Sequence, residues 1–192
     1  MAVPGMETLS LRAWAAASYT VTFHANGGKF GTTASAKETS EKTVTEGKTV
    51  TAPTTKPSRT GYTFTTGEWY TEPECENKWK VGTGGDPVTR NMTLYAKWTP
   101  KTYTVRFMTS DSSVFKTVTQ DYDSILEPPE ENPTKEGNSF GGWYADKTCE
   151  QPWDFTKPFA PSGTSTTVSI YPKWNLNSYT VTFETAGGTE IA

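Results

Sequence analysis

The chain has 192 residues and a formal net charge of −3, and it contains 36 Thr but only five Leu. So few leucines exclude an all-helical protein, because amphipathic helices need a repeated apolar stripe, whereas abundant Thr and a 13% aromatic content favour strands. No run of about 18 apolar residues occurs, which excludes a membrane-spanning helix and direct membrane insertion. The weakly acidic balance also argues against nucleic acid as a partner, since such proteins concentrate Lys and Arg on one face.

Residues 1–17 differ in composition from the rest of the chain. Arg12 interrupts the apolar stretch Leu9–Ala17, which disfavours a secretory signal peptide. We interpret this segment as a leader or linker. The alternative is a short helix around Trp14 that caps the first module.

The first predicted strand follows directly. Tyr19, Val21 and Phe23 alternate with threonines, which is the period-two pattern of a strand with one buried face. Residues Asn26-Gly27-Gly28 then predict a turn, because glycine tolerates a positive φ. Lys42–Thr45 predicts a second strand.

The rest of the first module is predicted to contain an extended connection, an aromatic-rich segment and a closing strand. Pro53 and Pro57 mark an extended connection, because proline cannot donate to a central ladder. The aromatic-rich segment Gly61–Tyr70 is expected to pack across the sheet, and Thr93–Trp98 to close it as a strand. Helix is limited to a turn or two at most, near Val50 or Asp123–Leu126.

The same series of motifs then repeats along the chain. The opening segment Ser18–Phe23 recurs at Thr102–Phe107 and Ser178–Phe183, and the closing segment Leu94–Trp98 returns as Ile170–Trp174. Prolines, a Trp-Tyr pair and a cysteine recur between them: Pro53, Pro57, Trp69, Tyr70 and Cys75 match Pro129, Pro133, Trp143, Tyr144 and Cys149. Ordered self-similarity of this kind predicts tandem modules. We predict a leader or linker, two complete repeat modules and the truncated start of a third: residues 1–17, 18–100, 101–177 and 178–192.

These motifs together resemble the Listeria–Bacteroides repeat, also called the internalin B-repeat. The matching pattern is Tyr-Thr-Val-x-Phe, an Asn/Gly-Gly turn, spaced prolines, Gly-Tyr-x-Phe-x-Gly-Trp-Tyr, a Cys and Leu-Tyr-Ala-x-Trp. The second module departs from it by carrying Ser110-Asp111-Ser112 in place of the Gly-Gly turn and Pro172 inside its last strand. The resemblance implies a mainly β fold with little helix (α+β), built as two tandem β-grasp-like (ubiquitin-superfold) modules. It also implies a place on bacterial cell-surface proteins and no shared catalytic residues.

Each module is expected to have its own core. The residues predicted for the first core are Tyr19, Val21, Phe23, Val44, Phe64, Trp69, Leu94 and Trp98. Those predicted for the second core are Val105, Phe107, Val118, Phe140, Trp143, Ile170 and Trp174. A module of about 80 residues needs such large side chains to bury enough surface.

The two cysteines are interpreted as structural residues. Cys75 and Cys149 occupy equivalent positions in successive modules, so we expect them about one module length apart. A disulfide requires Cα atoms within about 7 Å. Each cysteine is therefore predicted to be a free, small, buried side chain that reacts slowly.

The recurrent aromatic residues allow two interpretations. Recurrence of tryptophans in both modules favours the core, but exposed aromatic faces also stack on sugar rings. Four residues are expected to be partly exposed and are candidate contacts for a glycan: Tyr70, Trp79, Tyr144 and Trp153.

We predict no catalytic, cofactor-binding or metal-ligating residues. His24 has Met108 and Glu184 as its counterparts, so no general base repeats between the modules. One His and two Cys are too few for a structural zinc site with four ligands. Asp111, Asp121 and Asp123 lack the spacing of a calcium-binding EF-hand loop and are interpreted as solvated acids.

Two functions follow from these observations. The first is a non-catalytic repeat module of a modular, extracellular protein at the bacterial surface, acting as a spacer stalk and as an adhesion or protein-interaction surface. Its partner would be a host or cell-surface protein or a glycan. The alternative is a glycan-binding module that uses exposed aromatic side chains. The strand predicted within residues 178–192 has no partner in its own module, which further predicts weak self-association.

Overall fold

The computed structural model describes residues 15–109, 112–183 and 187–188. The chain forms two compact units, Met1–Thr99 and Pro100–Ala192, which are described separately below. The described residues form strands and turns but no helix, and so none long and apolar enough to cross a membrane. This confirms the predicted mainly β fold, while the turns of helix considered near Val50 and Asp123 do not form.

Seven strands form among the described residues of the first unit. They are β1 (Ser18–His24), β2 (Lys29–Phe30), β3 (Thr39–Thr45), β4 (Pro57–Ser58), β5 (Tyr62–Tyr70), β6 (Lys78–Trp79) and β7 (Met92–Pro100). Five of them form one sheet in the order β3-β1-β7-β5-β6, and β2 pairs with β4 in a small antiparallel ladder. The alternating Tyr, Val and Phe side chains of β1 give it one buried face, as their period predicts.

In the second unit, the part of the chain that the structure describes forms four strands. They are β8 (Thr102–Met108), β9 (Val114–Asp121), β10 (Asn138–Tyr144) and β11 (Thr167–Leu176), and they form one sheet in the order β10-β11-β8-β9. This order reproduces that of β5-β7-β1-β3 in the first unit. The place of β6 is taken by a single bridge between Tyr144 and Pro152.

In both sheets the first and the last long strands are parallel neighbours. β1 pairs with β7 from Val21↔Met92 to His24↔Tyr95. β8 pairs with β11 from Thr104↔Thr167 to Phe107↔Ile170. The strand after each opening strand, β3 or β9, returns antiparallel beside it. The specific β-grasp assignment stays a prediction.

The first core is built around Trp69. The Phe23 ring meets it edge-on at 4.7 Å, and the Phe30 ring stacks against it at 6.3 Å. The buried members are Val21, Phe23, Ala25, Phe30, Val44, Val50, Trp69, Val88, Leu94 and Ala96. The predicted members Tyr19, Phe64 and Trp98 are half-buried and pack against this cluster from its margin.

The second core repeats this arrangement around Trp143. The Phe107 ring meets Trp143 edge-on at 5.0 Å. The buried members are Tyr103, Val105, Phe107, Leu126, Trp143, Phe159 and Ile170. The predicted members Val118 and Phe140 are half-buried at its margin. Trp174 was also expected in the core but is half-buried, because β11 continues past the end of β8 and Trp174 pairs only with Phe140 on β10.

The opening segment of the third copy forms no strand. Tyr179, Val181 and Phe183 alternate as in β1, but they are 77%, 70% and 78% exposed. The strand predicted there is absent because a single alternating segment needs neighbouring strands to pair with. No such neighbour lies beside it among the described residues.

Candidate functional site

The candidate aromatic contacts lie around the turn that follows the Trp-Tyr pair of each module. In the first module this turn connects β5 to β6, and Trp69 faces Trp79 in the strand register. In the second module the corresponding chain runs from β10 to Trp153, whose backbone N–H donates to the Trp143 carbonyl at 2.9 Å. The same register therefore places Trp79 and Trp153 beside the central tryptophan of each core.

Tyr70 is less exposed than the sequence predicts. Only 6% of the residue is exposed, because the ring lies beneath the Lys97 ammonium at 5.0 Å from its centroid. Its hydroxyl donates to Glu68 Oε2 at 3.0 Å. Glu68 also forms an ion pair with Lys78, and these hydrogen bonds lower the pKa of the Glu68 carboxyl. Tyr70 is thus a buried ring under a polar cover.

Trp79 is half-buried and packs against the first core. Its indole nitrogen is buried and has no hydrogen-bond partner among the described residues. A buried donor without a partner has a free-energy cost, which apolar packing of the ring must offset. The contacts of Trp79 are therefore mainly those of a core residue.

In the second module the counterpart of Tyr70 is more exposed, and the counterpart of Trp79 is half-buried as in the first module. Tyr144 is half-buried, with Lys173 Nζ 5.3 Å from its ring centroid, so the lysine-over-tyrosine pair recurs between modules. Trp153 is half-buried and contacts Phe155 at 6.5 Å and Phe159 at 6.2 Å between ring centroids. Of the four candidates, Tyr144 and Trp153 have the exposure expected of a contact residue, together with Trp79.

A carboxylate organises the turn after each Trp-Tyr pair. Glu72 Oε1 accepts hydrogen bonds from the backbone N–H groups of Glu76 and Asn77. Asp146 occupies the equivalent position and accepts from the N–H groups of Glu150 at 3.0 Å and Gln151 at 2.8 Å. These bonds, together with one from a threonine hydroxyl, lower the pKa of Glu72 and lower that of Asp146 to about 2. The signal missed in the sequence is an acidic residue two positions after each Trp-Tyr pair.

Both cysteines sit in this turn with a left-handed backbone. Cys75 has φ 58° and Cys149 has φ 54°. Each thiol approaches a carbonyl of the closing strand, Ala96 O at 3.6 Å or Pro172 O at 3.7 Å. Both are free and half-buried, less buried than the sequence predicts because the turn lies at the surface. Partial burial raises the pKa of both thiols.

His24 has a local structural contact. Its Nδ1 accepts a hydrogen bond of 3.0 Å from the backbone N–H of Asn26, and its ring lies 5.4 Å from that of Tyr95. The described residues contain no group of three or more His, Cys, Asp or Glu side chains that could hold a metal ion. Asp111 and Glu184, considered above, lie outside the described residues.

Comparison with a protein-family model identifies the repeat. The model of the Listeria-Bacteroides repeat domain matches residues 19–97 and again residues 103–169. The two matches correspond to the two sheets, and each runs from the opening strand into the closing strand.

Three relatives show similarity over parts of their own length. A Gly-rich membrane protein of Evansella cellulosilytica is 35% identical over 182 residues, which cover 93% of this chain and 19% of that protein. Another membrane protein of the same organism is 41% identical over 101 residues, which cover 53% of this chain and 14% of that protein. Internalin H of Listeria monocytogenes is 37% identical over 123 residues, which cover 64% of this chain and 21% of internalin H. The chain thus spans about a fifth or less of the length of these relatives.

Proposed function

Because the chain belongs to the Listeria-Bacteroides repeat family, we propose that it is a non-catalytic repeat section of a protein at the bacterial cell surface. Its modules act there as a spacer and offer surface for adhesion or protein interaction. The names of its relatives support this place, since two are called membrane proteins and one an internalin.

The observation that carries the proposal is that each module has a complete core of its own. Trp69 with Phe23 in the first unit and Trp143 with Phe107 in the second form the same edge-on contact within separate sheets. A module that buries its own aromatic cluster is stable without help from its neighbours. Tandem copies of such a module extend a chain by repetition, which is what a spacer requires.

We include the lack of catalysis in this proposal. The positions that repeat between modules are filled by core aromatics and by residues that shape turns, such as Cys75 and Cys149. His24 is replaced by Met108 in the second module and binds its own turn in the first. A general base that is present in one module only cannot serve a reaction that both modules would share.

The spacer role is tested by surface display. The chain would be placed between an anchored base and a terminal epitope on a bacterium that carries a polysaccharide layer. Deleting residues 101–177 should reduce antibody access to the epitope, and replacing them with a second copy of residues 18–100 should restore it. Equal access to the epitope in all three displayed proteins would contradict the spacer role.

The alternative function, glycan binding through the aromatic residues, has its best candidates in Tyr144 and Trp153. Both residues are half-buried, whereas Tyr70 is buried beneath Lys97. A Trp153→Ala variant should then lose retention on a glycan array that retains the parent chain. If the array retains neither the parent chain nor the Trp153→Ala variant, the glycan-binding alternative is excluded.

A further inference from the structure

The second module has a groove where β11 extends beyond its neighbour. β8 ends at Met108, and the last pair between the two strands is Ile170↔Phe107, but β11 continues to Leu176. A cavity of about 740 Å³ lies beside this section, within the range of about 300–1,000 Å³ usual for ligand sites. We call it the β11 groove, and it is lined by Thr109, Thr134, Lys135, Lys147, Thr148, Cys149, Tyr171, Pro172, Lys173 and Trp174.

The first module closes the same place with its glycine turn. Gly28 is buried against Trp98, and a Cβ on it would lie 2.5 Å from Trp98 Cζ2 and 2.6 Å from Ser58 O. The Asn26 side chain also donates to the Pro73 carbonyl at 2.8 Å and to the Ala96 carbonyl at 3.1 Å. Only a glycine allows the turn to pack this closely on the closing strand.

The second module has Ser112 where the first has Gly28. A serine Cβ cannot occupy the buried position of Gly28, and Ser112 is exposed. Trp174 still donates from Nε1 to the Thr109 carbonyl at 3.3 Å, as Trp98 does to Ala25 at 2.8 Å. The tryptophan is thus held in the same way in both modules, and in the second module it lines the open groove.

Three lysines converge on the β11 groove. Each ammonium lies near an aromatic ring: Lys135 is 5.9 Å from Trp174, Lys147 is 5.8 Å from Tyr171, and Lys173 is 5.3 Å from Tyr144. The first module has Pro73 and Glu74 where the second has Lys147 and Thr148, so its corresponding surface has one cationic side chain fewer and one carboxylate more. Arg59 and Lys97 take the places of Lys135 and Lys173 in the first module, so the groove is more positive than that surface by the charge of Lys147 and the loss of the Glu74 carboxylate.

Among the residues that the structure describes, none of these lysines forms an ion pair. The ion pairs among the described residues join Lys78 to Glu68 and Lys157 to Asp154. Asp146 is next to Lys147 in sequence, but its carboxylate accepts hydrogen bonds from the turn N–H groups of Glu150 and Gln151. The groove thus presents the ammonium groups of Lys135 and Lys147 beside the rings of Trp174 and Tyr171, and Lys173 also lines it.

We propose that the β11 groove binds the acidic sugar residues of an anionic polysaccharide. The C–H face of a pyranose ring packs on an aromatic ring, and its carboxylate or sulfate group accepts hydrogen bonds from ammonium groups. A neutral sugar has no anionic group to bind the lysine ammonium groups, and a simple polyanion has no sugar ring to pack on the aromatic side chains. This binding site goes beyond the spacer role, which requires no ligand.

The first test is binding of the full chain to an oligogalacturonate, measured by calorimetry. Its fully methyl-esterified form keeps the sugar rings without the charge, and polyglutamate keeps the charge without the rings. Dextran sulfate distinguishes a sulfate from a carboxylate source. Binding of oligogalacturonate or dextran sulfate, with weaker binding of the ester and of polyglutamate, supports the proposal. Binding of neither acidic glycan, or equal binding of polyglutamate, overturns it.

The second test locates the site. A Lys135→Gln, Lys147→Gln variant should bind the acidic glycan about tenfold more weakly or worse, because charge-assisted contacts are the strong ones. The matched control, Lys101→Gln with Lys116→Gln, removes the same charge from exposed positions of the same module outside the groove. Equal weakening in both variants would show a general charge effect and overturn the proposed site.

A third variant separates shape from charge. Grafting the turn of the first module, Ser110→Asn, Asp111→Gly and Ser112→Gly, removes one negative charge and supplies the glycine that packs on tryptophan. Charge alone predicts tighter binding of an acidic glycan, whereas closure of the groove predicts weaker binding. Tighter binding in a variant that keeps the melting temperature of the parent would contradict the assignment.

Discussion

The two modules share their strand order and their aromatic core, but they differ at the turn after the opening strand. In the first module Gly28 lies under Trp98, and Asn26 ties the turn to the closing strand. In the second module Ser112 is exposed, and the corresponding tryptophan, Trp174, borders an open groove. The comparison shows that two modules with the same strand order and the same kind of core differ in how closely the turn after the opening strand packs on the closing tryptophan.

The largest effect is expected from loss of the central tryptophan. Trp69→Ala should destabilise the first module by roughly 3–5 kcal/mol, because it removes a fully buried ring and leaves a cavity. Small domains have little stability to spare, so this module should unfold near ambient temperature. Differential scanning calorimetry should show the transition of the second module shifted by no more than about a degree.

The matched variant is Trp143→Ala, which should reverse the pattern and affect only the second module. A single shared transition, lowered as a whole by either substitution, would show that the two cores are not independent.

The next effect concerns the turn itself. Gly28→Ser should cost the first module roughly 1–3 kcal/mol, since the new Cβ would overlap Trp98 and the Ser58 carbonyl. The reverse change, Ser112→Gly, should alter the second module by no more than about 1 kcal/mol, because Ser112 is exposed. Urea unfolding of each variant measures both values. Equal costs in the two modules would contradict the proposed difference in turn packing.

A smaller effect is expected from acid. The pKa of Asp146 is lowered from 3.8 to about 2 by the hydrogen bonds of its turn, so its contribution to stability is present above about pH 4. That contribution is lost as the pH falls from about 4 to 2, where the folded carboxylate becomes protonated. Asp146→Asn should therefore flatten the dependence of the melting temperature of the second module on pH in this range.

Glu131→Gln is the control for this variant, since Glu131 is an exposed carboxylate of the same module outside the turn. It should keep the acid dependence of the parent. A slope that is unchanged by Asp146→Asn would show that the turn carboxylate does not stabilise the fold.

The smallest effect is expected from the final segment. Tyr179, Val181 and Phe183 are exposed and pair with no strand among the described residues. Deletion of residues 178–192 should therefore leave both melting transitions within about a degree. A clear loss of stability in the second module would show that this segment contributes to its sheet.

The regular parts of this fold are predictable because their side chains alternate. Tyr19 to Phe23 and Thr93 to Trp98 are predicted as strands, and they lie within β1 and β7. Val50 and Val88 were not predicted in the core, since each is a single apolar residue in a polar loop. They are brought inward by backbone hydrogen bonds from Gly82 N to Val50 O and from Gly47 N to Val88 O.

The candidate site was predicted less completely. The position of Trp79 and Trp153 in each repeat could be seen, but the cover over Tyr70 depends on Lys97 from a strand far along the chain. The substitution of Ser112 for Gly28 was visible as a departure from the repeat. Its effect was not, because the sequence does not show that Gly28 packs against Trp98.

The parallel pairing of the first and last strands determines how each module responds to tension. The chain enters the first module at Ser18 in β1 and leaves it at Pro100 in β7, and these two strands run side by side in the same direction. A pull on the two ends of the module draws the strands past one another, so the hydrogen bonds between them bear the load together. β8 and β11 repeat this geometry. Each module therefore has a shear geometry between its first and last long strands when it is pulled at its two ends.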